Sequence, residues 1–257
     1  MENTEATGYE TDYMPITDIV WGRGFIAPGG EGNVDRIVKG VDLRDKTLLE
    51  LGSGAGGGTL LLAGKYGARV VGLELEPALV DMSRRYAQEA GLSERAEFRC
   101  VEVGAIPVAD ASFDFFYSSG VICHIEDRAA LFTDVLRLLK PGGMLLGYDW
   151  FVKSNSDDIR HWLQAAQLQL HTGTPQQYAE IMLDVGFEEV TSEDASSWYQ
   201  QRAQQELVEL EGPLYQKAAD ITSEATRDMV LKEWRMMNRV LQSGELGSGY
   251  FRGRKPG

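Results

Sequence analysis

Cysteine is scarce in this chain, and so is any surplus of positive charge. Of its 257 residues only Cys100 and Cys123 are cysteines. Neither sits in a CxxC or other ligand spacing, which argues against a disulfide framework or a metal site. Two reduced thiols fit a cytoplasmic protein. The net charge is −14, whereas a nucleic-acid binder needs a basic face, so no nucleic-acid partner is expected. No basic-plus-apolar leader is evident, and no apolar run approaches the roughly 18–20 residues of a membrane span, so no membrane association is expected. Internal repeats and low-complexity tracts are missing too. There are three histidines, His124, His161 and His171, so few residues are suited to proton transfer near neutral pH.

The chain does have an ordinary globular balance, with 43% hydrophobic and 25% charged residues. That suits one α/β domain with a helical addition. Residues 1–32 carry Tyr9, Tyr13, Trp21 and Phe25 before a Pro28-Gly29-Gly30 turn, too many aromatics for a disordered tail, and read as an ordered flap. Val34, Ile37, Val38 and Val41 mark a helix face. Strands are expected at Thr47–Leu51, Arg69–Leu73, Ala96–Val101, Phe113–Ser118 and Met144–Tyr148, with helices at Leu60–Tyr66, Pro77–Ala90 and Ala129–Leu139 between them. Lys140-Pro141-Gly142-Gly143 reads as a breaker. Strands and helices that alternate in this way imply a mostly parallel sheet with helices on both faces. The ligand crevice then lies beyond the carboxyl ends of the strands, near Leu51, Glu74, Glu102, Ser118 and Tyr148.

Past Trp150 the pattern turns helical, at Asp157–Leu170, Gln176–Val185 and through 197–242. Phe187–Thr191 is a possible strand, and Gly249–Arg254 is expected to rejoin the sheet as an edge strand. The expected division is a flap at 1–32, a nucleotide-binding core at 33–150, a helical cap at 151–245 and a C-terminal strand and tail at 246–257.

The centre of the pattern is Glu50-Leu51-Gly52-Ser53-Gly54-Ala55-Gly56-Gly57-Gly58. Gly52, Gly54 and Gly57 fit GxGxxG, and Glu74 lies 22 residues after Gly52. Dinucleotide dehydrogenases share that fingerprint. Three features favour S-adenosylmethionine instead. Glu50 would repel a pyrophosphate but suits the ammonium end of a sulfonium cofactor. Glu74 and Glu102 stand at further strand ends, where they can accept bonds from ribose hydroxyls and from the adenine amino group. Leu139-Lys140-Pro141-Gly142-Gly143 follows the fourth strand-helix unit. With E-L-G-S-G-A-G, G-L-E at 72–74 and I-P-V-A-D-A-S-F-D at 106–114, these residues resemble the class I S-adenosylmethionine-dependent methyltransferases. The resemblance implies a Rossmann-like fold and a cofactor held by Glu50, Gly52, Ser53, Gly54, Glu74, Leu75, Glu102, Val103 and Ser118.

A closer resemblance runs through Trp21-Gly22-x-x-Phe25-Ile26-x-x-Gly29-Gly30, Gly56-Gly57-Gly58 and Gly249-Tyr250-Phe251-Arg252. It is to the phosphoethanolamine N-methyltransferases and the betaine-forming glycine and sarcosine N-methyltransferases. That family implies a catalytic pair, placed here at Tyr9 and His124. His124 also directly follows a strand end, alone among the three histidines. Trp21, Phe25 and Trp150 are candidates to surround a methylated cation, and Arg23, Arg160 or Arg235 to meet a substrate carboxylate. The family's phosphate-binding tyrosines and arginine are not evident. Trp150 replaces one tyrosine, Leu168–Leu170 lacks basic and phenolic groups, and Ser119-Gly120 replaces an Arg-Asp pair. The acceptor expected is therefore a small amine, amino acid or thioether without phosphate. Two alternatives stay open: an S- or O-methyltransferase, and a non-methylating S-adenosylmethionine enzyme. The chain is expected to act as a monomer or homodimer.

Overall fold

The structure is a computed structural model that describes residues 14–104, 106–171 and 173–257. Two short helices open it, α1 (Met14–Trp21) and α2 (Gly30–Ile37). The alternating part follows: β1 (Thr47–Leu51), α3 (Gly57–Gly64), β2 (Arg69–Glu74), α4 (Pro77–Glu89), β3 (Ala96–Cys100), β4 (Phe113–Ser119), a 3₁₀ turn (Ile122–His124), α5 (Arg128–Leu138) and β5 (Leu139–Val152). The remainder is α6 (Asp157–Ala165), α7 (Pro175–Asp184), β6 (Glu188–Asp194), α8 (Ser196–Glu211), α9 (Tyr215–Ile221), α10 (Glu224–Gln242) and β7 (Leu246–Arg254). Many starts are written in the local chemistry. Asp127, Ser156, Thr174 and Ser223 each accept an amide hydrogen bond at the N-terminus of α5, α6, α7 and α10, which satisfies donors the helix itself cannot.

The strands form one sheet in the order β3-β2-β1-β4-β5-β7-β6. β1 to β5 are parallel, and β7 runs antiparallel between β5 and β6. Neighbouring residues of the central strands enter different cores. Leu48, Tyr117, Leu146 and Trp150 join a cluster with residues of α2, α3, α8 and α10. Leu49, Phe116, Leu145 and Phe151 join one with residues of α5 and α7. Covered on both faces, the strands read as nearly continuous apolar runs.

Several expected boundaries move. α3 begins at Gly57 instead of Leu60, because Gly56 turns the chain at φ 91 and an added Cβ on Gly57 would lie 2.7 Å from the Gly24 carbonyl carbon. Lys140-Pro141-Gly142-Gly143 is not a break but an irregularity inside β5, where the register on β4 jumps between Phe113 and Phe115. Tyr148 is consequently a fully buried mid-strand residue, not a strand end. α6 stops at Ala165, short of Leu170. The C-terminal strand is not an edge: β7 is paired on both sides and the acidic, exposed β6 is the edge, in keeping with charge as a guard on open edges.

Candidate active site

The glycine loop crosses the carboxyl ends of β1 and β2. Amides of Gly52 and Ser53 donate to the Leu73 carbonyl at 2.8 and 2.9 Å. The Gly54 amide donates to Glu74 Oε2 at 2.8 Å, and the amides of Leu75 and Glu76 donate to Glu74 Oε1 at 2.7 and 3.1 Å. Glu74 thus ties loop to strand with three of its acceptor positions. Gly52 and Gly54 have φ of 69 and 53, values that favour glycine. Gly72 lets the loop settle on β2, since a Cβ there would lie 2.7 Å from Ser53 Cβ.

Glu50 lies beneath the loop at 5% exposure. Its carboxyl accepts from the Thr59 hydroxyl, and an added Cβ on Gly58 would sit 2.6 Å from its Oε1. Burial, with the neighbouring Glu74 charge adding to it and Thr59 opposing it, pushes this carboxyl up to about 8. Ser53 Oγ, just past β1, and Ser118 Oγ, at the end of β4, are buried without a hydrogen-bond partner. Leu75 is 50% and Val103 89% exposed, so these two apolar side chains stand free beside exposed Glu102 at the ends of β2 and β3.

The second half of the site follows β4. Gly120 donates its amide to the Tyr148 carbonyl at 2.9 Å, and the chain then enters the 3₁₀ turn that ends on His124. The turn touches the loop, because a Cβ on Gly52 would fall 2.4 Å from Val121 Cγ2. His124 Nδ1 is 2.8 Å from the Gln169 carbonyl oxygen. A carbonyl only accepts, so Nδ1 carries the proton and Nε2 the lone pair. The residue is exposed, yet the surrounding protein displaces enough water to hold its pKa below 6.5. At neutral pH the ring is an uncharged base.

Residues 49–147 match the family model described as "Methyltransferase domain". That stretch, from β1 into β5, is similar to a methyltransferase domain. A phosphoethanolamine N-methyltransferase of Arabidopsis thaliana is 30% identical over 235 residues, which are 90% of this chain and 47% of that protein. This chain spans about half the length of the first curated relatives it matches. Phosphoethanolamine N-methyltransferase 2 of Haemonchus contortus, solved with phosphomonomethylethanolamine and S-adenosylhomocysteine, superposes with a TM-score of 0.90 at 23% identity, over 98% of this chain and 59% of that one. A Galdieria sulphuraria protein named for sarcosine and dimethylglycine methylation has a TM-score of 0.79 at 21% identity, over 96% of this chain and 98% of its own. Both likenesses concern the fold.

The expected acceptor-binding residues, all outside residues 49–147, are scattered. Phe25 does approach the loop, its amide nitrogen lying 2.7 Å from where a Gly57 Cβ would be. Trp21 and Trp150 do not line an open cage. Trp21 packs on Trp234 with ring centroids 5.1 Å apart, and Trp150 stacks on Trp162 at 5.1 Å and 18°. Their apolar area is spent on joining the helical region to the sheet. Arg23 lies over Tyr86 and pairs with Glu89 on the exposed side of α4. Arg160 pairs with Asp157 within α6, and Arg235 with Glu211 at 2.7 Å. These three guanidiniums are surface ion pairs, so the expectation that they meet a substrate carboxylate is not supported. Tyr9 falls outside the described residues.

Two polar groups escaped the sequence reading. Asn33, 1% exposed, accepts from Tyr250 OH at 3.1 Å and donates to Ser119 Oγ at 3.4 Å, linking α2, β7 and the end of β4. Asp149 is fully buried behind the histidine turn. Its one visible signal was an acid within the otherwise apolar run Gly147-Tyr148-Asp149-Trp150-Phe151.

Proposed function

We propose that this chain methylates a small polar acceptor from S-adenosylmethionine, and that the acceptor atom is the nitrogen of an amine or amino acid. One observation carries the reading: the turn that presents His124, a neutral base with its free lone pair on Nε2, is packed by Val121 directly onto the Gly52 end of the cofactor loop. When bound, the cofactor supplies a methyl group on a positively charged sulfur. Glu50 and Glu74 hold its ammonium and ribose ends. Ser53 and Ser118 offer hydroxyls to it, Leu75 and Val103 flank its adenine, and Glu102 accepts from the adenine amino group.

His124 then takes the proton that an ammonium acceptor must lose before it can attack, a contribution of about 10²–10⁴ in rate. Alignment of the nitrogen with the methyl carbon supplies up to about 7–11 kcal/mol more. Tyr9, from the flap at 1–32, is assigned the second position of the pair. The region 151–245 covers the acceptor, over a core at 33–150 that binds the cofactor. Arg23 and Arg160 are committed to surface carboxylates, so neither is assigned to an anionic group of the acceptor, whether phosphate or carboxylate. The protein works in the cytoplasm as a monomer or homodimer, with no nucleic-acid or membrane partner. Among the described residues no helix is long and apolar enough to cross a membrane.

The test is incubation with methyl-labelled S-adenosylmethionine and a panel of amines, amino acids, thioethers and phenols. A labelled amine, released with S-adenosylhomocysteine, is the expected result. Label in a thioether or phenol would move the acceptor atom to sulfur or oxygen. Tight NAD binding with no S-adenosylmethionine binding would end the proposal.

A further inference from the structure

His124 is held by a strap, residues 169–171, that no sequence motif marks. The strap touches the imidazole through one backbone group, the Gln169 carbonyl. Two bonds in turn hold the strap. The His171 amide donates to the Cys123 carbonyl at 2.8 Å, and Arg128 Nη2 donates to the His171 carbonyl at 3.1 Å. Arg128 is the first residue of α5, and its guanidinium lies over the Tyr178 ring of α7 at 4.9 Å. Just past the strap, a Cβ on Gly173 would meet Tyr178 Cε1 at 3.2 Å and Arg128 Nη1 at 3.6 Å. Behind the turn, the Asp149 carboxyl accepts from the amides of Trp150 and Cys123 and from the Cys123 thiol. Tyr178 OH reaches the other oxygen at 3.5 Å. Arg128 supplies the positive charge facing that carboxyl, and His171 is the titratable neighbour that faces His124.

These contacts form a closed circuit around the turn, from Asp149 to Cys123, His171, Arg128, Tyr178 and back. None of its side chains bonds to the imidazole in the structure. We infer that Arg128 and Asp149 are positioning residues for His124: Arg128 holds the 169–171 strap whose Gln169 carbonyl selects the Nδ1–H tautomer, and Asp149 fixes the turn that aims Nε2 at the acceptor. The inference rests on the role proposed for His124, but its test reads the imidazole directly.

Imidazole nitrogen-15 NMR on the full chain, with His161→Gln to simplify assignment, reports the tautomer and titration of His124 without any acceptor. The wild type is expected in the Nδ1–H form with a titration midpoint below 6.5. In Arg128→Ala the ring moves toward the mixture of tautomers an unconstrained imidazole shows, and its midpoint departs from the wild-type value. Turnover falls on the order of ten- to a hundredfold, while acceptor KM changes by less than about twofold, as expected for an interaction felt in the transition state. Arg128→Lys, which keeps a donor for His171, restores part of the Nδ1–H population. Asp149→Asn, which keeps an acceptor for the two amides, shifts the tautomer less than Arg128→Ala. If Arg128→Ala does not fold, the two conservative variants carry the test. A wild-type tautomer and midpoint in every folded variant would overturn the inference. A shifted tautomer in Arg128→Ala, together with full turnover by His124→Gln, would uphold the positioning while removing His124 from the proposed chemistry.

Discussion

Glu50 makes cofactor affinity a function of pH. The carboxyl is buried under the glycine loop and is pushed up to about 8 in the free protein, so at pH 6 only about one molecule in a hundred carries the charge. A cofactor whose ammonium sits against Glu50 favours the ionised form and must displace that proton. Affinity for S-adenosylhomocysteine is therefore expected to rise about tenfold per pH unit from 6 to 8 and then level off. Those two units correspond to about 2.7 kcal/mol, at about 1.36 kcal/mol each. Isothermal titration calorimetry in two buffers of different ionisation enthalpy measures both the affinity and the protons released, and close to one proton per site is expected at pH 6–7. Glu50→Gln keeps an acceptor for Thr59 but has no proton to lose, so its affinity should be flat with pH and about 10²-fold weaker than wild type at pH 8. Any titration of the cofactor itself would appear in both proteins and cancel in the comparison. Equal slopes for the two, or no proton released by the wild type, would refute the reasoning.

Stability of the free protein should move the other way. Glu50 at about 8, and Asp149 and Glu206 at about 7, carry folded values above the ordinary carboxyl range because burial disfavours their charge. The folded state then holds more protons than the unfolded one from about pH 4.5 to 8, and stability falls as pH rises through that window. His124, lowered from 6.5 by burial, opposes this over a narrower range. Thermal unfolding should thus give a higher Tm near pH 5 than near pH 8, and the reverse order would contradict the assignment. Gly72→Ala should cost about 1–3 kcal/mol in urea unfolding and weaken cofactor binding, since its Cβ would lie 2.7 Å from Ser53 Cβ and 3.0 Å from Phe98 Cδ1. Arg23→Ala and Arg160→Ala should leave kcat and KM within about twofold of wild type, as surface ion pairs contribute little; a large rise in acceptor KM for either would return it to the site.

Local signals in the chain were sufficient for the strand–helix alternation and the glycine loop. Apolar runs of strand length, glycines between β1 and α3, and acids at Glu50 and Glu74 are each readable within a few residues, because backbone conformation at such positions is set by neighbours along the chain. The place of His124 on the turn just past β4 is local in the same sense. Which side chains share a space was a different matter. Nothing local says that Trp21 meets Trp234 or Trp150 meets Trp162, so aromatics suited to a cation cage were spent on the helical core. Arg23 reads as a free cation until Glu89 of α4 is placed beside it, whereas Asp157 stands three residues before Arg160 and is a local partner. β7 reads as an edge because its own residues do not announce β6 on the far side. Gln169 acts through its carbonyl, a group every residue has, and no composition or motif can mark it. Periodicity and turn chemistry are properties of short segments and travel with the sequence. Pairing, burial and the pKa values of Glu50, His124 and Asp149 depend on groups far apart in the chain, and only the folded arrangement sets them.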